Sequence, residues 1–263
     1  ISQPLVGASY ESPSDTYEIN VAGTLNLLKA CQGISSIKAI AVITTDKVYE
    51  NLGEKKPFVE TDPLGLGDPY STSKAMADLL AQSWMKSVID MPVGIFRAGN
   101  VIGGGDVSPM RLIPDIVNSQ RSNEAVQLRN PLAVRPWQHV LDCLEGYQQA
   151  IDWMLENKKS TIMNFGPNYS DYRTVGEVAQ SFIEISTKGT IEILGGGKFS
   201  EAEFLTLDSN KARLTLKWKE KLDFKESLKW THEWYASQDK DLNLFDFSVE
   251  QIKRFEGMSY LND

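Results

Sequence analysis

A tyrosine and a lysine four residues apart, in Tyr70-Ser71-Thr72-Ser73-Lys74, can supply the base for oxidation of an alcohol if one helix carries both. Residues four apart share a helix face. An ammonium beside a phenol favours the phenolate and lowers a pKa that is about 10 when unperturbed, which makes a base. In a chain with 9 tyrosines chance alone nearly supplies one such pair, so its context carries the weight. Upstream, Thr44-Thr45-Asp46-Lys47-Val48-Tyr49 sets a hydroxyl, a carboxylate and an ammonium in succession. Downstream, Arg97-Ala98-Gly99-Asn100 is followed by Arg111, Arg129 and Arg135. A planar guanidinium offers a diphosphate a fork of donors where an ammonium offers a point charge.

These groups need elements to hold them. Ala39-Ile40-Ala41-Val42-Ile43 is continuously apolar and rich in β-branched residues, as a strand buried on both faces of a parallel sheet should be. Thr45, Asp46 and Lys47 then stand at its carboxyl end, the edge where open α/β sheets bind ligands. Apolar residues at 75, 76, 79, 80 and 84 predict a helix opened by Tyr70. A helix is expected over 14–31, with Tyr17, Val21, Leu25 and Leu28 on one stripe, and a second strand over 92–97. Residues 98–136 show little periodicity and read as a functional excursion rather than core. A helix over 140–157 and a strand over 161–165 follow, and Thr174 with Glu177 is a capping-box pattern. Strands near 190–194 and 203–207, helices near 208–215 and 224–236, and a polar helical tail after Asp239 complete the expectation.

The order Asn20-Val21-Ala22-Gly23-Thr24-Leu25-Asn26, Thr45-Asp46-Lys47-Val48-Tyr49 and Tyr70-x-x-x-Lys74 resembles the extended short-chain dehydrogenase/reductases that modify nucleotide sugars. Arg97 through Asp106, Arg111-Leu112-Ile113-Pro114-Asp115, Arg129-Asn130-Pro131 and Arg135-Pro136-Trp137-Gln138-His139-Val140 are similar to the CDP-glucose 4,6-dehydratases within that family. The resemblance implies a Rossmann-type, doubly wound parallel α/β sheet (residues 1–100 and 136–166) with a smaller α/β substrate-binding lobe and tail (101–135 and 167–263). It implies NAD as cofactor, CDP-glucose as substrate and a homodimer paired through helices 14–31 and 70–88. Tyr70 would take the C4 hydroxyl proton, with Thr45 and Lys74 holding the hydroxyl, the phenolate and the cofactor ribose. Asp46 and Lys47 stand where related dehydratases carry an Asp-Glu acid-base pair. Asn20 would fix local backbone near the cofactor, and Asn100, Arg111, Arg129 and Arg135 would bind substrate. The chain departs from the pattern at Ser200, where a histidine is expected before Glu201-Ala202.

Ile1-Ser2-Gln3-Pro4-Leu5-Val6 resembles the tail of a motif that closes the fourth strand of such a sheet, and no Gly-x-x-Gly-x-x-Gly fingerprint follows a strand. Gly103-Gly104-Gly105 and Gly195-Gly196-Gly197 do not sit between a first strand and a helix start. The N-terminal half of the dinucleotide fold, roughly 80 to 90 residues, is therefore expected to be absent from this chain. A net charge of −8 argues against nucleic acid or an anionic membrane as partner. No apolar run long enough to span a bilayer occurs. Cys31 and Cys143 match no metal spacing and read as free thiols in a reducing cytoplasm. His139, in a strand-to-helix turn, reads as a packing or capping residue. Two alternatives to the dehydratase stay open: a C4-epimerase or reductase on another nucleotide sugar, and an inactive truncated binding protein.

Overall fold

The computed structural model describes residues 2–194, 202–240 and 242–261. Ser200 and Gly195 to Gly197 lie outside them. The chain forms two compact units: residues 1–99, 146–165 and 205–218 make the first, and 100–145, 166–204 and 219–263 the second. Apart from Asn100 and Gly166, which fall in the second unit, this division differs from the expected one at two places. Residues 136–145 belong to the second unit. Residues 205–218 join the first, because Ala212 and Trp218 pack into its core with Phe96, Met163 and Phe165.

In the first unit, helices α1 (Val6–Glu11) and α2 (Pro13–Tyr17) lead through a π-helical turn, Glu18–Ala22, into α3 (Gly23–Cys31). Strand β1 (Ile40–Thr45), helix α4 (Pro69–Ser87) and strand β2 (Val93–Ala98) form a parallel β-α-β unit. The chain then builds β3 (Val101–Ile102), α5 (Leu112–Ser122), β4 (Ala125–Leu128), β5 (Val134–Arg135) and β6 (Gln138–His139) in the second unit. Helix α6 (Val140–Asn157) follows, and β7 (Thr161–Phe165) pairs in parallel with β2, giving the sheet order β1-β2-β7.

Alternation along the strands decides what each face of this sheet touches. Ile40, Val93 and Ile95 face Leu28 and Ala81 of the α3 and α4 side, while Phe96 and Met163 face Ala150 and Met154 of α6. All six residues of β2 are buried, as a central parallel strand requires. Strand β1 corrects the expectation of two buried faces: Ala41 and Ile43 are exposed, Ile43 to 43%. They lie on the face that α6 covers over β2 and β7, and β1, at the other end of the order from β7, lies outside that cover.

The second unit corrects the reading of residues 98–136. Helix α5 and strand β4 bury Ile113, Ile116, Val117, Val126 and Leu128 against Val178, Ala179 and Phe182 of α7 (Val175–Ser186), with Trp137, Phe224 and Leu228. This stretch is core. Pro114 misleads as a breaker, since proline is tolerated in a first helical turn, whose N–H groups have no intrahelical partner. Strand β8 (Arg173–Thr174) pairs antiparallel with β5, and β9 (Thr190–Ile193) pairs in parallel with β4. Thr174 and Glu177 form the expected capping box, with Glu177 N–H donating to Thr174 Oγ1 at 3.1 Å and Thr174 N–H to Glu177 Oε2 at 2.7 Å. No strand forms at 203–207. Phe204 bridges Val134 and Leu207 bridges Phe58, two partners in succession, so no ladder can grow. Helices α8 (Asn210–Leu216), α9 (Phe224–Asp239) and α10 (Leu244–Glu256) complete the described chain.

One buried polar network ties the first unit together. Arg97 on β2 is 1% exposed and grips Asp78 of α4 with two bonds of 2.8 Å, Nε to Oδ2 and Nη2 to Oδ1. Thr44 Oγ1 donates to Asp78 Oδ2 at 2.9 Å and Gln82 Nε2 to Oδ1 at 2.7 Å. Arg97 Nη1 donates to Tyr49 Oη at 2.9 Å and to Glu60 O at 3.2 Å. Tyr49 in turn donates to Asn164 Oδ1 at 2.6 Å, and its ring stacks on Phe58. Asn164 N–H donates to Glu60 Oε1 at 2.8 Å. Breaking a buried, fully bonded pair leaves an uncompensated charge and costs about 3–5 kcal/mol. Arg97→Ala should therefore lower the urea-unfolding free energy by about that amount, whereas Lys229→Ala, in an exposed pair with Glu226, should cost ~1 kcal/mol or less. Similar losses in the two variants would contradict this account of the network.

Candidate active site

Helix α4 opens on Asp68, whose carboxylate accepts from Ser71 N–H at 3.0 Å and from Ser71 Oγ at 2.6 Å, with Pro69 at the first helical position. The cap fixes the turn that carries Tyr70. Asn20, buried in the π-helical turn, reaches that same turn: its Nδ2 donates to Ser73 Oγ at 2.9 Å, and Ser73 donates to Tyr70 O at 2.7 Å. Asn20 also exchanges bonds with the Gln3 backbone, accepting from its N–H at 2.8 Å and donating to its carbonyl at 3.1 Å. It is a backbone fastener for the segment that holds Tyr70. A π-bulge of this kind frequently marks a functional site.

Lys74 is buried, and its ammonium donates to Ile43 O of β1 at 3.0 Å. Burial pushes its pKa below the ordinary lysine value, and the carboxylate of Asp78, one turn further along α4, opposes that shift. At the carboxyl end of β1, Thr45 caps a short 3-10 turn, Asp46–Val48, by accepting from Lys47 N–H at 3.4 Å. Thr45 Oγ1 donates to Asp46 Oδ1 at 2.9 Å, and both side chains are buried. Lys47 is half-buried, and among the described residues its ammonium makes no ion pair. Thr45, Asp46, Lys47, Tyr70, Lys74 and Asn20 thus all lie in the first unit, on β1, the turn that follows it, the π-helical turn and the head of α4.

The other four expected residues belong to the second unit. Asn100 follows β2, and its carbonyl accepts from Gln138 N–H at 3.0 Å. Arg111 stands at the entrance to α5, 41% exposed, with Nε 3.7 Å from Asp106 Oδ2. Arg129 is half-buried and lies near enough to oppose the burial that raises the Asp115 carboxyl. Arg135 is buried to 3% exposure, and its Nη1 donates to Val134 O at 2.8 Å. Arg111 and Arg129 are both partly exposed, whereas Arg135 is buried.

His139 takes the capping role expected of it. Its Nδ1 accepts from Leu141 N–H at 3.3 Å at the head of α6, its ring lies edge-on to Trp230, and burial pushes its pKa down to about 4. It is a neutral group at ordinary pH. Sequence reasoning missed Asp78, Arg97 as a buried cation, and the Tyr49-Asn164 link. Asp78 was reachable, because Tyr70, Lys74 and Asp78 form one row of a helix at successive four-residue steps.

The family model described as the NAD dependent epimerase/dehydratase family matches residues 2–166. The chain belongs to that family. It is similar to a CDP-glucose 4,6-dehydratase of Salmonella typhimurium, with 39% identity over 253 residues, covering 90% of this chain and 70% of the relative. A crystal structure of a dTDP-glucose 4,6-dehydratase from Bacillus anthracis in complex with NAD is 30% identical, with a TM-score of 0.74 over 86% of this chain and 70% of that one. A dTDP-glucose 4,6-dehydratase from Streptomyces venezuelae, at 23% identity and a TM-score of 0.81, shares the fold over 92% of this chain and 73% of its own. The chain is thus a Rossmann-type α/β member of an enzyme family, and no helix among the described residues is long and apolar enough to cross a membrane. The donor set at the end of β1 fits a nicotinamide nucleotide. An ammonium has three donors, and Lys74 gives one to Ile43 O, which leaves two that ribose hydroxyls could accept.

Two buried groups near the start of α6 give the second unit opposing pH responses. Asp142, held by Lys221 N–H at 2.7 Å, has its pKa raised by burial to about 7 from an ordinary 3.8. Between those values the folded state keeps a proton that the unfolded chain has released, so this contribution to stability grows as pH falls. His139 is the reverse: between 6.5 and about 4 the unfolded chain binds a proton that the folded one refuses, so stability drops as pH falls. Asp142→Asn removes the first and exposes the second. Its unfolding free energy, measured by urea titration, should decline from pH 6.5 towards 4 more steeply than the parent's, by up to ~1.4 kcal/mol per pH unit. Parallel curves would contradict these assignments.

Proposed function

We propose that this protein is a nucleotide-sugar 4,6-dehydratase acting on CDP-glucose, with NAD held by Tyr70 and Lys74 and by the turn that Asn20 fastens. The observation that carries the reading is the joining of two constellations in one unit: Tyr70 and Lys74 on α4, and Thr45, Asp46 and Lys47 at the carboxyl end of β1, linked through the Lys74 bond to Ile43. The similarity to the Salmonella typhimurium enzyme supports the substrate.

The C5 proton of a hexose is not acidic until C4 is a ketone, so oxidation at C4 must come first. NAD, when bound, supplies the hydride acceptor for that oxidation and returns the hydride at C6. Tyr70, as phenolate, takes the C4 hydroxyl proton, and the Lys74 ammonium stabilises that phenolate. Thr45 holds the hydroxyl. The C5 proton then leaves to Lys47, or to another base while Lys47 stabilises the enolate as a cation, and Asp46 protonates the departing C6 hydroxyl; once the hydride is back at C6, the resulting enolate takes a proton at C5 from that same base after it has exchanged with solvent. The Asp46 carboxyl must carry a proton when the C6 hydroxyl departs. An epimerase has no step that needs an acid at C6, so the buried Asp46 favours dehydration over the C4-epimerase reading. In the second unit, Asn100, Arg111, Arg129 and Arg135 are assigned to the nucleotide diphosphate and sugar.

The protein is further assigned as a homodimer. Leu27 of α3 and Met76 and Leu79 of α4 are exposed to 62%, 44% and 52%, an apolar surface on the two helices expected to pair. A double substitution, Met76→Glu with Leu79→Glu, should give the mass of a single chain in light scattering where the parent gives two. A parent protein of single-chain mass would remove the dimer.

For the chemistry, Tyr70→Phe should abolish C4 oxidation together with every later step. Lys47→Ala should slow product formation by about 10²–10⁴-fold, the usual worth of a positioned acid-base group, while C4 oxidation persists. Wild-type turnover in Lys47→Ala, or its failure already at C4 oxidation, would remove Lys47 from the C5 step.

A further inference from the structure

Gly103-Gly104-Gly105-Asp106 follows β3 and has no role in the reading above. Three successive glycines give a chain more conformational freedom to lose than any other tripeptide. In this protein an aromatic clamp removes it. A Cβ placed on Gly104 would fall within the Trp234 ring, 2.0 Å from Cγ, so the indole lies directly on bare backbone. Gly105 follows with a φ of +85°, a left-handed conformation that side chains other than hydrogen disfavour. The next carbonyl, Asp106 O, accepts from the Tyr235 hydroxyl at 2.6 Å. Trp234 and Tyr235 are consecutive on α9, and the Trp234 indole N–H donates to Ser248 Oγ on α10 at 2.9 Å, so the C-terminal helix pair backs the clamp.

The fixed residue matters because of what its side chain meets. Asp106 Oδ1 accepts from Ser108 N–H at 2.9 Å, and Oδ2 lies 3.7 Å from Arg111 Nε. We propose that Trp234 and Tyr235 are positioning residues which hold the glycine loop, and with it Asp106, so that Arg111 is presented ready-oriented to the diphosphate of the substrate. This rests on the assignment of Arg111 to the diphosphate. An exposed arginine has many rotamers, and a carboxylate at 3.7 Å narrows them without gripping, since a partly exposed ion pair at that distance is weak. An incoming diphosphate displaces Asp106 and finds the guanidinium in place. Without the clamp, the loop has to be ordered as part of binding, and affinity falls by that cost.

Tyr235→Phe keeps the ring and deletes the hydroxyl. In the whole protein it should raise the dissociation constant for CDP and the KM for CDP-glucose by about three- to tenfold, as expected for one lost hydrogen bond. The kcat should stay within about twofold, with NAD affinity unchanged. Trp234→Ala should act in the same direction and further. In the unliganded protein, amide hydrogen exchange over residues 103–108 should quicken in both variants, a readout that needs neither substrate nor activity. Unchanged exchange in Tyr235→Phe, or faster exchange with unaltered diphosphate affinity, would overturn the proposal. The titrations include UDP, dTDP and inorganic pyrophosphate. If the parent binds UDP or dTDP in place of CDP, the CDP-glucose reading fails and the clamp is judged on the nucleotide that binds. If no diphosphate binds, the clamp proposal fails with it.

Discussion

A guanidinium buried to 1% exposure persists only where its charge is answered and its donors are bonded, and Arg97 is held by four hydrogen bonds, two to Asp78, one to Tyr49 and one to the Glu60 carbonyl. The partners come from α4, from the segment after β1 and from the long loop that precedes α4. Asn164 extends the chain of bonds to β7 and to the Phe58 and Asp208 carbonyls. One ion pair therefore sets the depth at which α4 lies on the sheet and the path of the loop over its carboxyl edge. Removing any member strands a charge or a dipole in a place that water does not reach.

The chemistry inherits this arrangement. Lys74 lies one turn before Asp78, so the bidentate grip on Asp78 also fixes where the Lys74 ammonium meets Ile43 O. Asp78 supplies the charge that opposes the desolvation of Lys74, and Thr44 joins β1 to the same carboxylate just ahead of Thr45 and Asp46. Asn20 secures the other side of the turn through Ser73. The functional groups sit at the ends of elements, while the groups that aim them lie one residue or one turn inward.

Much of this was legible in the sequence. The period of α4, its opening near Tyr70, the limits of α6 and β7 and the Thr174-Glu177 box follow from local rules that each segment obeys alone. Where tertiary context decides, local rules fail. Strand β1 is as apolar as a doubly covered strand, yet Ile43 is exposed because the covering helix lies over its neighbours. Helix α5 was hidden in a stretch of little periodicity, with a proline, Pro114, in its first turn. Arg97 in a strand and Asp78 in a helix give no sign of each other, since a contact across 19 residues has no period to betray it. Gly104 and Trp234 are further apart still, and only their packing shows that one exists for the other.

The central claim is that these residues carry a hexose through a C4 ketone to loss of water, rather than back to an epimer. The most direct measurement is mass spectrometry of the sugar nucleotide after incubation of the protein with CDP-glucose and NAD in deuterated water. The account requires a product lighter by one water that carries a single solvent deuterium at C5. A product of unchanged elemental composition, inverted at C4 and without deuterium at C5, would contradict it.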